Sequence, residues 1–458
     1  MVLAAIAARI GARHVHGPDA VEPRYLDDES GGAAGRPAGV VRPGDTAEVA
    51  FVLATCHAAG QPVVVQGGRT GMTRAALPRD GELILSLERI ATVEAVDAVA
   101  GVMTVGAGCV LATAQAAAAE AGWWLAVDIG ARGSCTIGGM IATNAGGHQV
   151  LRHGMMRDQL LGLEAVLADG TVVSAMNRLL KNNSGYDLKQ LFVGAEGTLG
   201  VVTRAVLRLR PPAIRRETAL CALDDYAGAV ALLGRLDRAL PGQLGAFELM
   251  WDEFLSAASA LPGGSRPFAV QPPLAALVEI EGQADGALAA ALEACLADGV
   301  IADAVIAQSE RDHQRLWTVR DAIGPLVEAM PLVEPFDVSV ALQAIGPLVD
   351  QLRRALSAEL PGSRPLFFGH IADGNLHLAL ALADEAQRAA AERIVYEAVG
   401  AMDGSISAEH GIGMLKRAWL GLSRSATEIA LMRQLRGALD PKGILNPGRI
   451  FTGQPGAA

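Results

Sequence analysis

The sequence predicts an α+β protein of two subdomains, the first of which is completed by the end of the chain. Three observations carry this reading. Glycine turns punctuate short apolar strands as far as Pro211-Pro212, a pair that marks a boundary. From Ala213 to about Gly404, strand-like pieces such as LAALVEIEG and LHLALAL alternate with helical stretches, the pattern of an antiparallel sheet with helices on one side. ISAEHGIG then restores the glycine turns, and a last helix leads into LDPKGILNPGRIF. The expected domains are an N-terminal helix and polar link over 1–35, a first domain over 36–212, a sheet-plus-helices substrate domain over 213–404, and a C-terminal segment over 405–458 that packs back on the first.

A chain of 458 residues, 51% hydrophobic and 19% charged, has enough apolar material for two substantial cores. Its net charge of -11 argues against a general nucleic-acid binder, which needs clustered cations to neutralise phosphates. No apolar run reaches the roughly 18–20 residues of a membrane span, so none is expected. The five cysteines are scattered and form no CxxC, which suggests free thiols in a reducing, cytoplasmic setting.

Within the first domain, Val40-Val41 reads as a strand. Asp45-Thr46 then occupies an N-cap position, with Glu48 in the first helical turn and a stop at Gly60 and Pro62. Val63-Val64-Val65 is a buried strand running into Gln66-Gly67-Gly68-Arg69-Thr70-Gly71, a possible anion cradle that lacks the dinucleotide fingerprint. The stretch to Cys109 alternates as two or three strands with a turn near Ala100-Gly101. An alanine-rich helix spans about Val110 to Ala121, and LLGLEAVLADGTVVSA is a hairpin turning at Ala168-Asp169-Gly170.

Asp128 to His153, DIGARGSCTIGGMIATNAGGHQVLRH, is the densest glycine stretch, with nothing bulky enough to fill a core. Small residues at this density let backbone N–H groups approach phosphate oxygens, so one reading is a pyrophosphate cradle. The other is a set of tight turns in a glycine-rich protein, and glycine spacing does not separate the two.

The histidines His370, His377 and His410 stand apart from the rest. FFGHIADGNLHLAL places His370 at the end of an apolar strand and His377 at the start of the next, across a turn at 372–375. A lone histidine pair of this kind is more often a hydrogen-bonded core feature than a metal site. Glu409-His410, in a second glycine-rich turn, tips the balance, because two histidines and a carboxylate make the donor set of a catalytic metal with open positions.

GSCTIGGMIATNAGG, KNNSGYDLKQLFVGAEGTLGVVT, GHIADGNLH, SAEHGIG and DPKGILNP together resemble the D-2-hydroxyacid dehydrogenases, flavoproteins of the FAD-binding PCMH-type, vanillyl-alcohol-oxidase fold. The likeness runs from about Pro37 to Phe451 with the motifs in family order. It implies FAD held by Gln66, Gly67, Gly68, Arg69, Thr70 and Gly71, and by a second loop of Gly133, Ser134, Cys135, Ile137, Gly138 and Gly139 continued by Asn144, Ala145 and Gly146. Gly197, Gly200 and Val202 are expected at the flavin end, with Asn446 covering the cofactor from the C-terminus. Relatives that attach flavin covalently carry a histidine where Thr70 stands, so non-covalent FAD is expected.

The resemblance further implies a divalent metal, zinc in the usual description, on His370, His377 and Glu409, with His410 as base and Arg320 on the substrate carboxylate. The implied reaction takes a small D-2-hydroxy acid to its 2-oxo acid, with hydride passing to flavin N5. A separate acceptor is then needed, an electron-transfer flavoprotein, a cytochrome or a quinone, and relatives of this type are often homodimers. Relatives acting on D-2-hydroxyglutarate carry polar residues where this chain has Pro335, Gly324 and Ala379, which favours a smaller or more apolar acid such as D-lactate, or one whose polar end meets other residues. The competing readings are a metal-independent alcohol or glycolate-type oxidase or oxidase subunit, recognisable by peroxide production, and a flavin-binding subunit without turnover.

Overall fold

The computed structural model describes residues 1–282 and 285–452; residues 283–284 of the expected substrate domain and 453–458 of the expected C-terminal segment lie outside them. The chain divides into two compact units. One holds Met1–Gly147, Gly154–Pro212 and the chain from Glu409; the other holds His148–His153 and Ala213–Ala408.

The first unit contains strands β1 (Val15–His16), β2 (Gly39–Val41), β3 (Val63–Gln66), β4 (Leu83–Ser86), β5 (Val93–Asp97), β6 (Val102–Gly106), β7 (Leu160–Val166), β8 (Val172–Ala175) and β9 (Val201–Arg208). They form a four-stranded sheet in the order β1-β2-β4-β3 and a five-stranded sheet in the order β5-β6-β9-β7-β8. β2 and β3 both run parallel to β4, which aligns Val40, Ile84 and Val64 side by side. Strand alternation sends these three onto buried Tyr25, and sends Val41, Leu85 and Val63 into the main core of the unit. The N-terminal stretch is thus more than a helix and a polar link. β1 pairs with β2, and Tyr25 is fully buried with its hydroxyl donating to Glu88 Oε1 at 2.9 Å.

The helix Thr46–Ala59 follows its local signals. Asp45 Oδ1 accepts from Glu48 N at 2.8 Å, Glu48 Oε2 accepts from Gly44 N at 2.6 Å, and Gly60 ends the helix at φ +65°. The β7–β8 hairpin turns at Gly170, φ +89°, where Thr171 N donates to Asp169 Oδ1 at 2.8 Å. The 128–153 stretch departs from the sequence expectation in its middle as well as in His148–His153, which belong to the second unit. It contains a helix, Ile137–Thr143, capped by Thr136, whose Ile137, Met140 and Ile141 join the core. Its apolar residues recur three to four apart, so the small residues between them line the outer face.

The end of the chain adds to the open edge of the four-stranded sheet. Val63 N donates to Ile444 O and Asn446 N donates to Val63 O, each at 2.8 Å. Arg449, fully buried, locks this return: it pairs with the Glu82 carboxylate and donates to Leu77 O at 2.5 Å and to Ala75 O at 3.2 Å. Replacing Arg449 by Ala leaves the buried Glu82 carboxylate without its cation, and is expected to cost about 3–5 kcal/mol of stability. Denaturant titration checks this, and a loss under about 1 kcal/mol would mean the pair is energetically neutral.

The second unit is built on an antiparallel sheet of β10 (Arg215–Leu223), β11 (Leu244–Trp251), β12 (Leu274–Gly282), β13 (Asp303–Ile306), β14 (Val333–Ser339), β15 (Arg364–His370) and β16 (Asn375–Ala381). Their order is β13-β10-β12-β11-β15-β16-β14. Pro335 lies on the edge strand β14, where a missing N–H costs no inner ladder bond. Helices cover both faces of this sheet, where the sequence suggested one. Phe254, on helix Asp252–Ala260, lies 5.0 Å from Phe368 on one face. Tyr226, on helix Tyr226–Ala239, stacks on Trp251 on the other. Trp251 follows Met250, the residue paired with Phe368, and adjacent strand residues face opposite ways.

Candidate active site

In the first unit, a cavity of about 380 Å³ is walled by the glycine-rich segments. Gly67, Gly68, Arg69, Thr70 and Gly71 line one side; Cys135, Gly138, Gly139, Ala145 and Gly146 line another. Gly197, Gly200, Val202, Asn446, Glu409 and His410 complete the wall. Five residues of the expected cofactor set are placed off it. Gln66 is buried, its side-chain amide donating to Tyr25 O and Ala76 O at 2.9 Å each. Ile137 belongs to the core, and Asn144 caps its helix at φ +52° while accepting from Arg157 N at 3.0 Å. Gly133 and Ser134 lie in the turns leading to Thr136 and do not reach the cavity.

The packing behind the cavity explains the glycines. A Cβ on Gly68 would stand 2.1 Å from Ser134 O and 2.8 Å from Cys135 Cα. One on Gly138 would stand 2.7 Å from Ala107 Cβ. Among the described residues none accepts from the backbone N–H of Gly68, Arg69, Thr70 or Gly71, so this run is a row of donors open to an anion. Asn446, at φ +41°, ties the walls together: Val65 N donates to its Oδ1 at 2.9 Å and its Nδ2 donates to Glu196 O at 2.6 Å. Glu196 was not visible as a site residue in the sequence. Burial pushes its carboxyl above the usual range, although it accepts from Ile412 N at 2.7 Å and Gly413 N at 2.8 Å. Those two bonds brace the loop that carries Glu409 and His410. Glu409 Oε1 accepts from Gly147 N at 3.4 Å, and the His410 carbonyl accepts from Thr73 Oγ1 at 3.4 Å.

In the second unit, one end of one sheet face is polar. Glu279 and Glu281 on β12, Glu248 on β11, His370 on β15 and His377 on β16 occupy alternate positions of otherwise apolar strands. His370 and His377 are brought together, ring centroids 5.2 Å apart at 80°. Each has a carboxylate behind it. His370 Nδ1 and Glu248 Oε1 are 2.5 Å apart, and His377 Nδ1 lies 3.9 Å from Asp337 Oδ1, its cross-strand partner. Glu248 Oε2 also accepts from Arg320 Nε at 2.6 Å. Burial alone would raise the Glu248 carboxyl, but His370 and Arg320 outweigh it and hold the group well below the usual carboxylate range. Arg320 lies over the Phe368 ring at 4.9 Å, and no described residue accepts from its two Nη groups.

Beside this cluster, Glu279 accepts from Trp317 Nε1 at 3.0 Å and lies 3.5 Å from His313 Nδ1. His148 packs edge-on against Trp317 at 5.0 Å and against His370 at 5.4 Å. Glu248, Glu279 and His148 were missed in the sequence, although an acidic residue inside FELMW or LVEIEG is itself a signal, since lone buried carboxylates are rare.

Two donor sets result. A glycine-walled cavity with unclaimed backbone N–H groups fits the phosphates of a flavin nucleotide, and adjacent imidazoles backed by carboxylates fit a divalent cation. The architecture is that of the FAD-binding PCMH-type proteins. It aligns with p-cresol methylhydroxylase at TM-score 0.75 and 14% identity, over 98% of this chain and 96% of the other. Residues 37–176 match the FAD binding domain, and residues 213–450 match the C-terminal domain of FAD linked oxidases. A D-2-hydroxyglutarate dehydrogenase of Xanthomonas citri pv. viticola is 39% identical over 91% of this chain and 89% of its own length. A putative mitochondrial D-lactate dehydrogenase of Schizosaccharomyces pombe is 35% identical over 89% and 80%. The chain belongs to this family of FAD-linked oxidoreductases, which act on CH–OH donors. No helix among the described residues is long and apolar enough to cross a membrane.

Proposed function

We propose that the protein oxidises a small D-2-hydroxy acid to the 2-oxo acid, using non-covalent FAD and one divalent metal, zinc by preference. The observation that carries this reading is the Arg320–Glu248–His370 cluster, which offers a guanidinium for a carboxylate beside an imidazole prepared as a ligand. FAD binding falls to 36–212 with 405–458, and substrate handling to 213–404. The metal is held by His370, His377 and Glu409; in support, Ala408 N donates to the carbonyl of Asp337, the residue paired with His377. Bound FAD supplies a hydride acceptor, and a bound divalent metal supplies the Lewis acidity that lowers the hydroxyl pKa. Arg320 receives the substrate carboxylate through its Nη groups. His410 takes the hydroxyl proton on a ring nitrogen, the C2–O bond becomes double, and the C2 hydrogen leaves with its electron pair. The electrons then pass to a separate acceptor, an electron-transfer flavoprotein, a cytochrome or a quinone. All five cysteines are buried free thiols, which suits a reducing, cytoplasmic setting.

Substrate size follows from the polar groups that are missing. Pro335 and Ala379 face each other across β14 and β16, and neither they nor Gly324 carries a side-chain donor for a distal carboxylate. Anaerobic mixing with D- and L-2-hydroxy acids tests the proposal. D-lactate and its short apolar homologues should bleach the flavin at least about 10-fold faster than D-2-hydroxyglutarate, the equivalent of one unmade hydrogen bond to a charged group. The L-acids should leave the flavin oxidised. Absence of bleaching by every acid would refute the enzyme reading. Fastest bleaching by D-2-hydroxyglutarate would refute the size argument, and stoichiometric peroxide in air would replace the dehydrogenase with an oxidase.

A further inference from the structure

We infer that Glu248 is a positioning residue that sets, with one carboxylate, both the ligating tautomer of His370 and the orientation of Arg320. The inference rests on the proposed roles of His370 in metal binding and of Arg320 in holding the substrate carboxylate. Glu248 and His370 are register partners across β11 and β15, so strand alternation places both side chains on the same face with no freedom to part. The Glu248 side chain is 1% exposed, and each of its oxygens is committed: Oε1 to His370 Nδ1 at 2.5 Å and Oε2 to Arg320 Nε at 2.6 Å.

For His370 the consequence is chemical. A carboxylate at Nδ1 keeps the proton on that nitrogen, which leaves the lone pair on Nε2 and raises its basicity as a ligand. For Arg320 the consequence is geometric. Its guanidinium is held at Nε by Glu248 and lies over Phe368 at 4.9 Å, so its two Nη groups are presented in one direction as a fork for a carboxylate. The same oxyanion therefore couples the residue that would hold the metal to the residue that would hold the substrate.

A different reading makes His148, Glu248 and His370 a metal site themselves, since they offer donor atoms within 4.8 Å of one another. The hydrogen bonds of Glu248 favour the positioning role instead, since Oε1 is paired with His370 Nδ1 and Oε2 accepts from Arg320 Nε. Two ligands on a zinc ion, each at about 2.0–2.2 Å, stand roughly 3 Å or more apart in tetrahedral geometry. A donor and an acceptor of one hydrogen bond approach more closely than two ligands of one ion. His148 packs edge-on against the rings of His370 and Trp317.

The test uses the FAD-loaded full chain, stripped of metal by a chelator and titrated with zinc against a chromophoric competitor. Glu248→Gln is isosteric but cannot accept at both ends. It should bind zinc about 10–100-fold more weakly than the unaltered protein. Its FAD content should be unchanged, and its KM for the 2-hydroxy acid should rise as Arg320 loses its anchor. Glu248→Asp keeps the charge but draws it back by one methylene, and should fall between the two. Zinc affinity in Glu248→Gln equal to that of the unaltered protein would overturn the inference. Should the Gln variant fail to fold, the Asp variant decides by the same titration, with unaltered affinity again counting against it. His370→Ala separates the two levels of the argument. If the unaltered protein binds no zinc, or binds it equally well without His370, the metal reading itself fails.

Discussion

Replacing His410 by alanine is expected to yield a yellow, folded protein whose flavin is reduced by a 2-hydroxy acid about 10²–10⁴-fold more slowly than normal, the range for loss of a general base. The fold should survive because backbone groups brace the loop on both sides of His410. Glu196 holds Ile412 N and Gly413 N, Gly411 and Gly413 take up φ +81° and +51°, and Thr73 reaches the His410 carbonyl rather than its ring. Removing the ring therefore takes the proposed base from the cavity wall and leaves the backbone bonds of the loop in place. Anaerobic stopped-flow reduction, with FAD content measured alongside, separates these effects. An unchanged reduction rate would eliminate His410 as the base, and a colourless protein would show that the ring serves cofactor binding instead.

The second large effect is expected from Gly68→Ala. The added methyl meets Ser134 O and Cys135 Cα, both backbone atoms of the second loop packed behind the cavity, at 2.1 and 2.8 Å. Neither can swing aside, so the two cofactor loops must separate, and the protein should be isolated without flavin. Gly67→Ala is the informative contrast. Its methyl meets the Thr136 hydroxyl at 2.4 Å, a side-chain atom whose rotation costs no more than the helix cap it makes, about 1 kcal/mol. That variant should retain FAD with reduced affinity. Visible absorbance relative to protein, read with circular dichroism to confirm folding, gives the answer. Full flavin occupancy in Gly68→Ala would show that the loops are not held at this spacing.

What was legible in the sequence was mostly local. Asp45, Glu48 and Gly60 announce their helix because the capping bonds lie within four residues of their partners. The Asp169-Gly170 turn announces its hairpin for the same reason. His370 and His377 could be placed on neighbouring strands because a short turn joins them. Glu248 could not be joined to His370, because the register that pairs them spans 122 residues. Nor could His148–His153 be separated from the glycine stretch around it; Arg152 donates to Glu281 O at 2.7 Å and to its carboxylate at 3.0 Å, bonds that only the folded second unit provides. The buried Tyr25 and the pairing of β1 with β2 were hidden for the same reason.

The pairing of residues 444–446 with β3 has a consequence for biosynthesis. Asn446 reaches Val65 across 381 residues, and Arg449 reaches Glu82 across 367. A ribosome making this protein releases the glycine loops more than 300 residues before the wall that closes over them. Nascent chains fold largely in the order in which they appear, and contacts of such long separation form slowly. The cofactor cradle therefore stays incomplete until the segment around Asn446 has been made, and flavin is captured only after that.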